Sequence, residues 1–410
     1  MKIVIAPDSF KGTLSAAEVA RAIAEGIRAI RPLAGQADWE LIEVPVADGG
    51  EGTIEAVLAA VPGRRVSATV KSPLLTEVKA DYAVFRLPGR GDGRTAVVEM
   101  AQASGLTLVP EKKRNPLFTT TFGTGQLVLH AIKEGCREIL IGMGGSATVD
   151  GGAGMAAALG VRLLDEKGKD IPLGGAGLTR LYRIDLSRRI SLSRLWFIAL
   201  SDVTNPLLGE NGAAKVFGPQ KGATPRMVEV LEKNLARLAR IIKRDVGVDV
   251  CEIPGAGAAG GLGAGIVAFL DGKITPGIEA VVELVGLKEK IRGADLVITG
   301  EGKFDLQTAR GKAPMGVAKA AAELGVPTIA ICGSFGEGYA EAAKDHFLAV
   351  VSLEEVAGSK EEAMLRPKEF LRKAVARFFA HYPVPGGFSM GGTLGPFEMA
   401  RARHRPVRLA

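Results

Sequence analysis

The feature that most constrains the fold is a strand–helix alternation that appears at both ends of the chain and lapses in between. Residues 1–60 read as "KIVIA", a strand, then "SAAEVARAIAEGIRAI", a helix, then "WELIEVPV", a strand, and a helix after "ADGGEGT". Ser15 and Glu18 make an S-x-x-E capping box, which marks the start of the first helix. Near the other end the rhythm returns with "ADLVITG", a helix over 313–324, "PTIAICG", a helix near 339, "FLAVVSL" and a long helix over 360–379. Such alternation implies a parallel sheet with helices on its faces. Between the ends, "RVSATV", "EVKADYAVF" and "TAVVEM" are short β-type runs split by turn-rich stretches such as "LPGRGDGR", and they predict antiparallel strands. The pattern predicts an α/β protein: a parallel-sheet domain from residues 1–75 and 286–380, with a mixed α/β domain, 76–285, inserted into it. A simple N-terminal and C-terminal split is the competing arrangement. Residues 381–410, rich in Gly, Pro and Arg without any period, are expected to be disordered.

Composition narrows the function classes. At 410 residues, 47% hydrophobic and 24% charged, the chain is ordinary for a globular protein and long for one domain. No apolar run approaches the ~18–20 residues that span a bilayer, and the first apolar stretch meets Pro7 and Asp8, too soon for a signal peptide. A cytoplasmic protein with no membrane partner is expected. Cys136, Cys251 and Cys332 are scattered, with no C-x-x-C pair, so each is expected to be a small buried apolar residue rather than a disulfide or zinc ligand. Four histidines, two of them at or beyond residue 381, leave little for a histidine triad or metal cluster. The net charge of +7 resides entirely from Arg366 onward, where nine Lys or Arg face two Glu. That reads as a solvated helix face and a tail, and no nucleic-acid partner is expected.

The chemistry sits in loops that follow apolar strands, where open α/β sheets place their ligands. In "IGMGGSATVDGGAG", residues 141–154, Gly142, Gly144 and Ala147 match G-x-G-x-x-A, and Asp165 follows about 20 residues later, as in a dinucleotide fingerprint. That fingerprint opens a helix at once, whereas here "TVDGG" intervenes, and a nicotinamide oxidoreductase is disfavoured. Asp165, in "LLDEKGK", reads as a turn residue. Ser146 is no nucleophile elbow, because Thr148 stands where G-x-S-x-G needs glycine. The other loops carry Asp8, Ser9 and Lys11 in "PDSFKG"; Asp48, Gly49 and Gly50 in "ADGGEGT"; Asp202 and Asn205 in "SDVTNPL"; Gln220 and Lys221 in "VFGPQKGA". "PGAGAAGGLGAG" adds six glycines, Gly260 and Gly261 among them, and "VITGEGKFDLQTARGK" supplies Glu301, Lys303, Asp305, Gln307, Arg310 and Lys312.

Glycine-rich strand-to-helix loops favour phosphate. Paired carboxylates suit Mg²⁺, and Lys or Arg neutralises a transferring phosphoryl group. Together these are the parts of a phosphotransferase. Taken singly, each has a plainer structural reading: turn or packing glycines, Asp8 and Asp48 as caps, Lys11, Lys303 and Lys312 as surface lysines, Asn205 as a turn former before Pro206. The Walker A pattern is absent, since Gly-Lys pairs such as those at 272, 302 and 311 are followed by Ile, Phe and Ala. The H-R-D and D-F-G motifs of protein kinases are absent as well.

In that order, "APDSFKGTLSA", "VPVADGGEGT", "EMAQASGL", "GGSATVDGGAGMAAALG", "SDVTNPLLGENGAAKVFGPQKGA", "PGAGAAGGLGAG" and "ADLVITGEGKFDLQTARGKAP" resemble the type 1 glycerate kinase family, over roughly residues 1–380. The resemblance implies an ATP-dependent kinase that makes 2-phosphoglycerate from D-glycerate. It also implies a Rossmann-like or flavodoxin-like domain from the two chain ends with a mixed α/β insertion, and an active site in the cleft between them. ATP and Mg²⁺ are the expected cofactors, glycerate the substrate, and a homodimer a candidate assembly. Roles within the site are assigned on residue chemistry. Asp8 or Asp48 would orient or deprotonate the attacking hydroxyl. Asp202 and Glu301, with Asp305, would hold Mg²⁺, and Lys11 and Lys221 would meet the substrate carboxylate or the phosphoryl oxygens. Ser9, Gly49, Gly50, Gly144, Gly145, Ser146, Ala147, Asp150, Asn205, Gln220, Gly260, Gly261, Lys303 and Gln307 complete the expected binding set.

The alternatives are a kinase that makes 3-phosphoglycerate, one acting on a related small hydroxy acid, and a binding protein that has lost its chemistry. The last would be marked by missing carboxylates, yet Asp8, Asp48, Asp150, Asp202, Glu301 and Asp305 are all present. Ser201 stands where the family commonly has cysteine, and Leu306 where small residues are frequent. Neither changes the charge of the expected site.

Overall fold

A computed structural model describes residues 1–30, 39–87, 93–381 and 407–408. The chain divides into two units, one comprising Met1–Asp48, Glu55–Val61 and Ile278–Ala410, the other Gly49–Ile54 and Pro62–Gly277.

The first unit is built on an all-parallel sheet. From one edge to the other its strands are Val407–Arg408, Ala349–Ser352, Thr328–Cys332, Leu296–Thr299, Lys2–Ile5 and Glu40–Glu43. Leaving out the two-residue edge strand and counting along the chain, the order is 2-1-3-4-5, the flavodoxin-like doubly wound arrangement. A strand buried on both faces is apolar at every position, and "KIVIA" shows why. Ile3 and Ile5 pack with Val19, Ile23, Leu371, Val375 and Phe378 on one face, while Val4 and Ala6 pack with Val281, Val297 and Val317 on the other. The helix Ala16–Ala29 starts at the Ser15–Glu18 capping box, with both reciprocal bonds formed. The long helix expected over 360–379 is instead two helices, Lys360–Leu365 and Pro367–His381, because Pro367 has no N–H to continue the first and suits the opening turn of the second. Its basic residues find partners: Lys368 bonds Glu18 at 2.9 Å, Lys373 bonds Glu369 at 2.6 Å, and Arg372 pairs with Glu25.

The second unit carries a mixed sheet in the order Lys273–Thr275, Trp196–Leu200, Cys136–Gly142, Arg94–Glu99, Glu77–Phe85, Gly63–Lys71. The last three pair antiparallel, as their alternation predicts, and the others pair in parallel. The run "RVSATV" belongs to this sheet, so the chain leaves the first unit before residue 75. At the return, Ile278 and Val281 already pack in the first unit's core, ahead of residue 286. Of the expected tail, Val407–Arg408 pairs with Ala349–Val350, and 382–406 and 409–410 lie outside the described residues. No helix among the described residues is long and apolar enough to cross a membrane. Cys136 and Cys332 are buried, and Cys251 is half-buried.

Candidate active site

In the first unit, the strand order reverses between Lys2–Ile5 and Leu296–Thr299, and ligands of open α/β sheets bind beyond the carboxyl ends of strands at such a point. Pairing continues past the strands there. Ala6 N–H donates to Ile298 O at 2.7 Å and Asp8 N–H to Gly300 O at 2.8 Å, so Asp8 and Glu301 are carried on backbone locked to the sheet. Beyond Glu301, Gly333 N–H donates to Glu301 O and Ser334 N–H to Gly302 O, each at 3.1 Å, which fastens the next loop alongside. A cavity of about 360 Å³ opens here, and Asp8, Ser9, Lys11, Asp48, Glu301 and Lys303 all line it. Six predicted site residues from three chain segments thus share one cavity.

Asp8 is only 5% exposed, and its carboxylate accepts the Ser9 N–H at 2.6 Å. Burial, and then the charge of Asp48, push its pKa up to about 7, against the pull of the Ser9 amide and Lys11. Glu301 is also buried. It accepts from Thr308 Oγ1 at 2.5 Å and lies 3.5 Å from Lys312 Nζ. Burial raises its carboxyl above the usual range, with Lys312 and Thr308 opposing. Asp305 shows the reverse balance: burial would raise it, but Lys312, the Gln307 N–H and Lys303 together hold it below the usual carboxylate range. Lys312 stands 3.7 Å from Asp305 and so bridges the two acids, while Lys303 lies 3.4 Å from Asp305. Glu301 and Asp305 are an oxygen donor set that suits Mg²⁺, a cation that takes one or two carboxylates plus water and phosphate oxygens. Among the described residues no group of three or more His, Cys, Asp or Glu gathers as a metal site.

In the second unit, a polar cluster follows the strand Cys136–Gly142. Lys221 is 2% exposed, and its Nζ donates to Ser146 Oγ at 2.7 Å and to Thr148 O at 2.8 Å. Burial lowers its pKa to about 7, although Asp150 pulls the other way. Asp150 is fully buried. Its carboxylate accepts N–H groups from Thr121 (2.8 Å), Gly152 and Gly154 (3.2 Å each) and the hydroxyls of Thr120 and Thr121. The amides of Gly152 and Gly154 are therefore occupied by the protein's own carboxylate. Ala147 donates its N–H to Ser104 O at 2.9 Å, so that amide is occupied as well.

The glycines here serve close packing. A Cβ on Gly144 would lie 2.7 Å from Gly50 Cα, and one on Gly260, whose φ is +71°, would lie 1.9 Å from the Thr148 carbonyl oxygen. Gly49 and Gly261 are buried in the same packing, and Gly145 is exposed. Asp202 Oδ1 accepts the Gly277 N–H at 2.8 Å, within the second unit, whereas its expected metal partners Glu301 and Asp305 belong to the first. Asn205 holds its own loop through Nδ2 to Asn211 O at 2.8 Å. The Gln220 and Gln307 side chains are exposed, and Gln307 meets the first cluster through its backbone N–H, which donates to Asp305 Oδ1 at 2.9 Å. Asp165 accepts the Lys167 and Lys169 N–H groups at 3.0 Å and pairs with Arg180, a turn residue with no part in a dinucleotide site. Lys312, named in its loop but not in the expected site, and Thr308, not named at all, both reach Glu301. "QTARGK" displays both, and only their approach to Glu301 reveals a role.

The glycerate kinase family model matches residues 3–382. The chain is 51% identical over 376 residues to the glycerate kinase of Halalkalibacterium halodurans, covering 91% of this chain and 96% of that one. It is 48% identical over 364 residues to the glycerate 2-kinase of Escherichia coli, covering 88% and 93%. A crystal structure of a Salmonella typhimurium LT2 protein assigned as a glycerate kinase 2 superposes with a TM-score of 0.78 at 45% identity, covering 94% of this chain and all of that one. A family model over nearly the whole chain, with relatives about half identical along most of its length, shows that the chain belongs to the glycerate kinase family.

Proposed function

We propose that this kinase transfers the γ-phosphoryl group of ATP to the 2-hydroxyl of D-glycerate, releasing 2-phosphoglycerate and ADP. Family membership supports ATP and glycerate as the substrates, and the relative named a glycerate 2-kinase supports the 2-position. The observation that carries the chemistry is Asp8, a buried carboxylate whose pKa is raised to about 7 in a lysine-rich cavity. A general base works best when its pKa lies near the operating pH. Asp8 would take the proton from the attacking hydroxyl as the new O–P bond forms, with Asp48 beside it holding its pKa up. Lys11 and Lys303 line the same cavity and would neutralise charge on the phosphoryl oxygens. Glu301 and Asp305 would hold Mg²⁺, which when bound supplies positive charge to the nucleotide phosphates. Lys312 lies within 4 Å of both carboxylates and favours their charged forms. In the second unit, the Gly144 and Gly145 amides and the Ser146 hydroxyl are the groups proposed to meet an oxyanion.

The test is ADP release by the purified chain with Mg-ATP, with and without D-glycerate. Release that depends on D-glycerate, and that drops by ~10²-fold or more in Asp8→Asn, is expected. Absence of glycerate-dependent release from the wild-type chain would overturn the reading.

A further inference from the structure

The cavity beside Asp8 has a wall that glycerate cannot use. Carboxylates and lysines line it, but so do Phe10, Leu353, Ala363, Met364 and Pro367, the first three of which belong to one apolar core cluster. Glycerate carries an oxygen on each of its three carbons and offers no apolar surface to such a wall. The wall is buried at its base and open at its rim. Phe10, Leu353 and Ala363 are 3%, 1% and 5% exposed, while the Met364 side chain stands 52% exposed at the rim. Two bonds fix the segment that carries it: Glu354 N–H donates to Gly333 O at 3.0 Å, and Ser359 Oγ caps the helix Lys360–Leu365 by accepting the Glu362 N–H at 3.2 Å. On that helix Lys360, Ala363 and Met364 stand at i, i+3 and i+4, on one face, and all three line the cavity. Lys360 and Lys11, both lining it, make no ion pair within 4 Å among the described residues, so two ammonium groups accompany the apolar wall.

We propose that this wall is the nucleobase subsite of the kinase, with the purine of ATP laid against Met364, Ala363 and Pro367 and with Lys360 and Lys11 facing its phosphates. The assignment rests on the kinase reading above and adds where the nucleotide's base lies. A thioether at the rim suits an aromatic base, being polarizable and able to adjust its rotamer. The apolar wall and the acids are continuous within one cavity, as a ligand with an apolar head and an anionic tail requires.

The experiment measures binding of ADP and of inorganic tripolyphosphate to the wild-type chain, Met364→Ser and Ala363→Phe, by calorimetry, alongside each variant's KM for D-glycerate. Met364→Ser changes an exposed side chain and should weaken ADP by about three- to tenfold. Ala363→Phe fills the wall and should weaken it by more than about tenfold. Tripolyphosphate affinity and the glycerate KM should stay within about twofold in both, because neither depends on a base site. ADP affinity equal to wild type in Met364→Ser, or ADP and tripolyphosphate weakening in parallel, would overturn the subsite while glycerate-dependent turnover persists. A wild-type chain that binds no ADP and turns over no glycerate would overturn the kinase reading itself.

Discussion

Asp8 is the proposed general base, and its environment makes two predictions with opposite signs. As the proposed base it would act deprotonated, so kcat/KM should rise through pH ~7 and level off above it, and Asp8→Asn should lose that acidic limb along with most of the activity. For stability, the folded pKa of about 7 lies above the ordinary 3.8, so between those values the folded chain holds a proton that the unfolded chain has released. Stability then falls as pH rises across that window, and Asp8→Asn should melt higher than wild type at pH 8. Thermal melts at pH 5 and pH 8 check this, and an unchanged difference between the two proteins would count against the raised pKa. Lys221 lies on the other side of the same rule. Its folded pKa of about 7 is below the ordinary 10.5, so its contribution rises with pH between 7 and 10.5. Sequence could nominate Asp8 from "PDSFKG" but could not show its burial, because burial is set by the strands and loops that surround it.

At the scale of elements, Asp150 ties two helices together. Its carboxylate takes the Thr121 N–H just before the helix Phe122–Lys133 and the amides of Gly152 and Gly154, where the helix Ala153–Ala158 begins. Asp150→Ala would leave several buried donors without a partner, and unsatisfied buried groups cost ~1–3 kcal/mol each. A loss of about 2–5 kcal/mol in chemical denaturation is therefore expected. A loss below ~1 kcal/mol would show that water replaces the carboxylate readily. Within "GGSATVDGGAG" the Gly152 and Gly154 amides are taken by Asp150 of the same loop, a bond the glycine pattern alone does not display, while Gly144, Gly145 and Ser146 are the groups proposed to meet an oxyanion. Helix boundaries were legible where capping chemistry is local, as at Ser15. They were misread where one residue, Pro367, breaks an otherwise continuous helical pattern.

For the molecule as a whole, the alternation at the two chain ends revealed the sheet of the first unit, and the antiparallel runs revealed half of the second unit's sheet. What local patterns cannot carry is strand order. The 2-1-3-4-5 arrangement that sets Asp8 beside Glu301 joins residues 293 positions apart, as in the Thr299 hydroxyl bonded to Ala6 O at 2.7 Å. The first crossing between units is equally silent, since residues 49–54 read like their neighbours. The basic end was legible as a helix face: Arg366, Lys368, Arg372 and Lys373 pair with glutamates rather than forming an open cationic surface. The central claim is that the cavity built at this strand reversal phosphorylates D-glycerate at its 2-hydroxyl. The most direct measurement is NMR of the product formed from Mg-ATP and D-glycerate by the purified chain. The phosphorus coupled to the proton on C2, that is 2-phosphoglycerate, is the predicted result; phosphorus coupled to the C3 protons, or no phosphoglycerate at all, would contradict it.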